Sequence, residues 1–146
     1  MNLINIIDEI INNKMKLYSI NNMKTINEKS LKKHTQILKK QIDKYNNLYI
    51  DILSNSDYEV LRDAILHINK NIKLKEDDIN TVINRQIWLD EKIDNASSDS
   101  EINTYELIKD NDKEYLDKVY YNKKLFEIYK EDLKKYKKEN NKNYNK

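Results

Sequence analysis

Apolar residues recur at intervals of three and four along almost all of this 146-residue chain. That spacing is the period of an amphipathic helix, in which one face packs on a core and the other meets water. No segment alternates between apolar and polar residues for long enough to predict a strand. The pattern predicts an all-α protein with about five helices, at residues 3–20, 26–53, 57–70, 78–94 and 100–138.

The predicted helix boundaries rest on polar residues, because the chain contains neither glycine nor proline. Three segments fit the capping box, in which a hydroxyl and a glutamate three residues later bond the free amides of the first turn. These segments are 25–28, 56–59 and 98–101. The acidic run at 76–78 predicts a further start, since the helix dipole favours negative charge there. Asparagines precede these starts, and asparagine tolerates the left-handed backbone that ends many helices.

The fourth predicted helix carries the widest apolar arc, so we expect it to be the most buried. Its apolar residues are Ile79, Val82, Ile83, Leu89 and Ile93, with Ile87 and Trp88 at the edges of the arc. A charge placed at Ile83 is accordingly expected to destabilise the fold by several kcal/mol.

The fifth predicted helix is the longest, and its apolar seam advances by alternating steps of three and four residues, as in a coiled coil. At ~1.5 Å per residue it reaches about 57 Å, whereas the second predicted helix reaches only about 42 Å. We therefore predict an elongated bundle in which the C-terminal end of this helix overhangs and exposes an apolar strip. The residues predicted to bind a partner there are Phe126, Tyr129, Leu133 and Tyr136.

Two polar residues, Asp112 and Asn122, fall on this seam. A buried carboxylate without a partner costs several kcal/mol, so either a lysine reaches Asp112 or this stretch is exposed. A buried asparagine sets the register of some oligomers, and the alternative for Asn122 is a simple break in the apolar stripe. The eleven tyrosines are equally open to two interpretations, core packing or an aromatic binding surface.

The absence of glycine excludes the usual phosphate-binding loops, dinucleotide-binding turns and nucleophile elbows. The absence of cysteine excludes disulfides and zinc–thiolate sites. His34 and His67 have no second histidine or glutamate at metal-binding spacing, and the acidic run at 110–114 lacks the glycine of a calcium loop. We therefore expect no enzyme activity, no cofactor, no metal and no small-molecule substrate.

Lysines give the second candidate surface. At ~100° per residue, four lysines of the second predicted helix share the face opposite its apolar stripe, and the C-terminal end is basic. The possible nucleic-acid contacts are Lys29, Lys33, Lys40, Lys44, Lys134, Lys135, Lys137 and Lys138. Against this alternative stand the net charge of only +2 and the acidic start of the fourth predicted helix, where a helix-turn-helix would meet phosphate.

The function expected from these patterns is non-catalytic: a helical protein that mediates protein–protein interaction. A bias toward Asn, Ile, Lys and Tyr indicates an AT-rich genome and is typical of a viral, phage or mobile-element accessory factor that assembles with itself or inhibits a host protein. Nucleic-acid binding is the alternative. The N-terminal stretch lacks the apolar core of a signal peptide, and no run approaches a membrane span, so a cytoplasmic location is expected. Residues 1–139 are predicted to form one domain, with a basic, flexible tail at 140–146.

Overall fold

The computed structural model describes residues 1–23 and 27–144, with side chains described as far as Lys138. In these residues the chain forms four helices: α1 (Leu3–Asn21), α2 (Glu28–Asn55), α3 (Tyr58–Asp94) and α4 (Asp99–Tyr144). Helix accounts for 92% of the described residues, and none of them is in a strand. The all-α prediction is confirmed, but the expected count of five helices is wrong.

The difference is α3, which runs without interruption through the boundary expected between residues 70 and 78. An asparagine in a helix interior costs only up to ~0.7 kcal/mol relative to alanine, too little to end a helix that a packed face supports. That face continues across the expected break, and its buried residues are Leu61, Ile65, Ile68, Ile72, Ile79, Val82 and Leu89. The acidic run at 76–78 does not start a helix. It contacts α4 instead, through an ion pair of Glu76 with Lys123 and a hydrogen bond from Tyr115 to Asp78.

The other helix starts lie close to their predicted positions, with two changes of capping residue. Asn27 caps α2, where its Oδ1 accepts from the Ser30 amide at 2.8 Å, and Asp57 caps α3 by accepting from the Val60 amide at 3.0 Å. The hydroxyl residue of the first predicted box, Thr25, lies outside the described residues. The third box is formed in part. Ser98 Oγ accepts from the Glu101 amide at 3.3 Å, but the Glu101 carboxylate accepts from the amide of Ser97, one residue before the cap, at 3.2 Å.

Asparagine ends α1 and α3 as expected, but by a different mechanism. Among the described residues no residue has a positive φ angle. The side-chain amides of Asn22 and Asn95 instead donate to the carbonyls of Tyr18 and Glu91, four residues back, at 2.8 and 2.9 Å. The side chain therefore satisfies a free carbonyl of the last turn without a left-handed residue.

The helices form two hairpins, α1 with α2 and α3 with α4, and α1 packs against all three other helices. It is the helix most enclosed by the fold, which corrects the expectation that residues 78–94 would be. Its buried apolar residues, Leu3, Ile6, Ile7, Ile10 and Ile11, join the start of α3 and the second half of α4 in one core. In the expected core helix, by contrast, Ile83, Ile87 and Trp88 are exposed. The reason is that only α4 covers that part of α3.

Helix length explains why α1 is enclosed whereas part of α3 is covered on one side. At ~1.5 Å per residue, the 19 residues of α1 reach about 28 Å, whereas α3 and α4 reach about 55 and 69 Å. The buried side chains of α3 and α4 beyond α1, such as Ile79, Val82 and Leu89, are not part of the four-helix core. We call residues 74–118, where α3 and α4 pack on each other alone, the arm. The remainder of the described chain is the base.

Candidate partner-binding surface

The strip predicted to bind a partner is not exposed. Phe126 and Tyr129 are buried, Leu133 has no exposed surface, and Tyr136 is half-buried against the same core. The expectation that the C-terminal end of the last helix overhangs is wrong. It is the N-terminal part of α4 that extends beyond α1, and α3 packs on it there. The C-terminal half packs on the isoleucines of α1.

Polar contacts around this strip join three helices. The Tyr49 hydroxyl of α2 donates to Asp132 of α4 at 2.6 Å, and the Tyr49 ring meets the edge of Tyr129 at a centroid distance of 5.2 Å. Burial raises the pKa of Tyr49 above its ordinary range, and burial likewise raises the pKa of Tyr129 to about 12. The Lys14 ammonium of α1 lies 5.5 Å from the Tyr129 ring, and its burial lowers the pKa of this lysine. These groups hold α1, α2 and α4 together.

In the arm, a ladder of polar contacts fixes α3 against α4. Arg85 donates two hydrogen bonds of 2.6 Å to the buried carboxylate of Asp112, and these bonds raise the pKa of the arginine. Gln86 donates to the Lys109 carbonyl at 3.0 Å, and Lys109 in turn pairs with Asp90. The seam carboxylate therefore has a partner, as expected, but the partner is an arginine and not a lysine.

Beside this ladder, aromatic and apolar side chains are exposed together. Trp88 is 49% exposed and meets Tyr105 edge-on at 6.3 Å. Ile108 and Tyr115, 39% and 45% exposed, lie at three- and four-residue steps from Tyr105 and Asp112 along the same side of α4. Tyr115 is also close enough to Arg85 to influence its pKa. We call Arg85, Trp88, Tyr105, Ile108 and Tyr115 the Trp88 face.

The Trp88 face continues the side of α4 that α1 covers in the base. Ile108 and Tyr115 precede the core residue Tyr129 by whole heptads, so the three lie on one side of the helix. At the junction, Tyr18 near the end of α1 stacks on Tyr121 at 4.6 Å. Beyond that point α1 has ended, and the same side of the hairpin carries exposed side chains.

Comparison with known proteins adds no relative. No protein-family model, curated protein or solved structure matches this chain. The case for a functional surface therefore depends on the geometry alone.

The predicted lysine surface is placed as expected. Lys29, Lys33, Lys40 and Lys44 are all exposed on α2, opposite the buried Leu38 and Ile42. At the end of α4, Lys134, Lys135 and Lys138 are exposed, whereas the half-buried Lys137 lies 5.0 Å above the Tyr58 ring. The two lysine groups lie on different helices. The predicted tail at 140–146 has no described side chains, so its flexibility stays a prediction.

The two histidines differ. His34 is exposed on α2, whereas His67 lies 3.0 Å from Asp8 of α1 and ties α1 to α3. Sequence reasoning missed this partner because the two residues are 59 positions apart. Among the described residues, no group of three or more histidine or acidic side chains is placed to hold a metal. Within the same part of the chain, no helix is both long enough and apolar enough to cross a bilayer.

Asn122 sits at the junction of arm and base, on the line of Ile108, Tyr115 and Tyr129. Its side-chain oxygen is buried and has no hydrogen-bond partner among the described residues. An unpaired buried acceptor costs about 1–3 kcal/mol. Asn122 interrupts the apolar stripe, and a role for it in setting the register of an oligomer stays a prediction.

Proposed function

We propose that this protein is a non-catalytic helical protein that mediates protein–protein interaction and that the Trp88 face is its contact surface. The observation that carries the proposal is the joint exposure of Trp88, Ile108 and Tyr115 on one side of the arm. Tryptophan, tyrosine and arginine are the side chains that dominate the binding energy of protein interfaces. The chain has one tryptophan and two arginines, and Trp88 and Arg85 lie together here.

The rigidity of the arm supports the same function. A partner that binds a preformed surface avoids the entropy cost of ordering it. The Trp88 face stands on two long helices held by the Arg85–Asp112 pair and the Lys109–Asp90 pair. Because the side chains project from helices and not from loops, their relative positions are fixed before a partner arrives. The compositional bias noted above supports the finer proposal of a viral, phage or mobile-element accessory factor.

The experiment is affinity capture from the cell in which the protein is made, with the wild-type chain and two matched variants. Trp88→Ala removes the centre of the proposed surface. Ile87→Ala removes a side chain of similar exposure that projects about 100° away on the same helix. We expect the partner to be lost at least tenfold with Trp88→Ala and retained with Ile87→Ala. Equal capture by all three chains would exclude this surface.

Nucleic-acid binding is a second candidate, favoured by the exposure of the α2 lysines on one face and by the charge of the base. Outside residues 74–118, the chain has 21 basic against 12 acidic residues. Phosphate contacts release counterions, so binding to a duplex or single strand would weaken steeply with salt. The double variant Lys33→Glu/Lys40→Glu should abolish such binding, whereas Trp88→Ala should leave it unchanged. A chain that does not retain labelled DNA or RNA even at low salt would exclude this candidate.

A further inference from the structure

We infer that the Trp88 face binds a second copy of this chain, in the groove between α1 and α2. The inference rests on the proposed function, since it names the partner of that same surface. Three properties of the described residues support it: an apolar groove in the base, exposed apolar side chains on the arm, and opposite net charge of the arm and of the helical segments that form the groove.

The groove lies where the second half of α1 faces the first half of α2. It has a volume of about 550 Å³, and its apolar lining includes Met15, Ile20, Met23, Ile37 and Leu38. Pockets of roughly 300–1,000 Å³ accommodate drug-sized ligands, so an aromatic side chain fits in this space. Ile37 and Met23 are both exposed, so apolar surface lies at the mouth of the groove.

Charge distinguishes the two surfaces. The arm has 6 basic and 13 acidic residues, a net charge of −7. The helical segments that form the groove, residues 14–23 and 27–44, have eight lysines and two acidic residues, a net charge of +6. Lys16 lines the groove, whereas the exposed lysines of α2 lie opposite Leu38, so they attract an acidic arm from a distance. Attraction between surfaces of opposite charge speeds encounter and selects the correct partner.

The same charges argue against the alternative in which two arms pair with each other. Each arm would then bring a net charge of −7 to the contact, and like charges at an interface are unfavourable. Binding of an arm to a groove is heterologous, because each copy contributes a different surface. Such a contact generates open chains or closed rings, and the smallest ring is a dimer in which each arm enters the groove of the other copy.

The first test measures the mass of the purified full-length chain by light scattering over a concentration series. At low ionic strength, we expect the average mass to rise with concentration to at least twice that of the 17.7-kDa monomer. Added salt screens exposed charges and should shift the rise to higher concentration. A chain that stays monomeric throughout the series overturns the inference.

The second test uses variants that each disable one surface, with a matched control for each. Trp88→Ala disables the arm and Ile37→Glu disables the groove, and both should remain monomeric. Ile87→Ala and Ile50→Glu alter exposed isoleucines on the same helices outside the two surfaces and should assemble as the wild type does. Circular dichroism checks that every variant is folded, and Ile108→Ala provides a second arm variant. Assembly that is unaffected by both disabling variants overturns the inference.

Mixing the two disabled variants gives the sharpest result. Trp88→Ala retains an intact groove and Ile37→Glu retains an intact arm, so the mixture can form one contact and no more. We expect a complex of twice the monomer mass that does not grow with concentration. A mixture that stays monomeric, or that forms larger assemblies, contradicts the arm-to-groove contact. If the wild type is monomeric but captures another protein through Trp88, the proposed function stands and only the identity of its partner is wrong.

Discussion

One acidic residue, Asp112, is buried in the interface between α3 and α4. Asp112 is 7% exposed, and the Arg85 guanidinium satisfies both of its oxygens. Such a pair contributes no more to the free energy of unfolding than apolar residues of the same shape would. Removing one partner, however, leaves a buried charge without a counter-charge. The pair therefore acts mainly to specify how α3 lies against α4 beneath the Trp88 face.

A double-mutant cycle tests this role. Arg85→Met should lower the free energy of unfolding by about 2 kcal/mol, because hydrogen bonds to charged groups contribute ~1.5–3 kcal/mol. Arg85→Met/Asp112→Leu should recover most of the loss, since no buried charge remains. Denaturant unfolding measures both values. If the double variant is no more stable than Arg85→Met, the cost lies in packing and not in the unpaired carboxylate.

The buried tyrosines predict sensitivity to alkaline pH. Burial raises the pKa of Tyr129 from its ordinary value of 10.0 to about 12. A group whose pKa is higher in the folded state contributes stability that is present below its unfolded pKa and is lost as pH rises through the folded pKa. Stability should therefore fall between about pH 10 and pH 12, and Tyr129→Phe should make the fall shallower by up to about 3 kcal/mol. Melting temperatures from pH 8 to 12 measure the difference. Parallel curves for the two chains would show that Tyr129 does not contribute.

The elements were predicted well where local chemistry decides them and badly where packing does. The starts at Asp57 and Ser98 and the ends at Asn22 and Asn95 depend on side chains within four residues, so the sequence reveals them. The continuity of α3 depends on α4, whose Lys123 and Tyr115 contact the acidic run at 76–78. The sequence gives no sign of these partners until the hairpin is known.

Proline substitution distinguishes a continuous α3 from two shorter helices. Asn71→Pro places a proline in the interior of a 37-residue helix, so it should lower the free energy of unfolding by about 3 kcal/mol or more. Asp99→Pro is the control, because proline is tolerated in the first turn of a helix and α4 begins there. Thermal melts of the two variants give the comparison. Equal melting temperatures would indicate a helix break near residue 71.

Over the whole molecule, the four-helix core lies in the base, and the surface proposed for interaction lies in the arm. The candidate surface was only partly predictable. The sequence indicated an apolar strip on an overhanging last helix, but locating the overhang required knowing that α1 covers Tyr129 and Leu133. Trp88, the one tryptophan of the chain, could have indicated the surface from the sequence. The contacts Asp8–His67 and Tyr49–Asp132 could not be predicted, because their partners are 59 and 83 residues apart and form no local pattern.

Two isoleucines test this division directly. Ile10 has no exposed surface in the base, and Ile83 is 38% exposed in the arm. Ile10→Ala should lower the free energy of unfolding by about 2–5 kcal/mol, as large-to-small substitutions in a core do, whereas Ile83→Ala should cost less than about 1 kcal/mol. Urea unfolding of both variants measures the contrast. A larger loss of unfolding free energy for Ile83→Ala than for Ile10→Ala would show that residues 78–94 lie at the centre of the core.

The central position of α1 has a consequence for synthesis. The ribosome makes α1 first, but Phe126, Tyr129 and Leu133, on which its isoleucines pack, follow about 120 residues later. At ~5–20 residues per second, the nascent chain carries this apolar helix for on the order of ten seconds before its final neighbours emerge. During that interval α2 can shield it first, by closing the first hairpin, and the start of α3 can follow. The contact of α2 with α1 therefore protects a nascent apolar helix before it contributes to the finished fold.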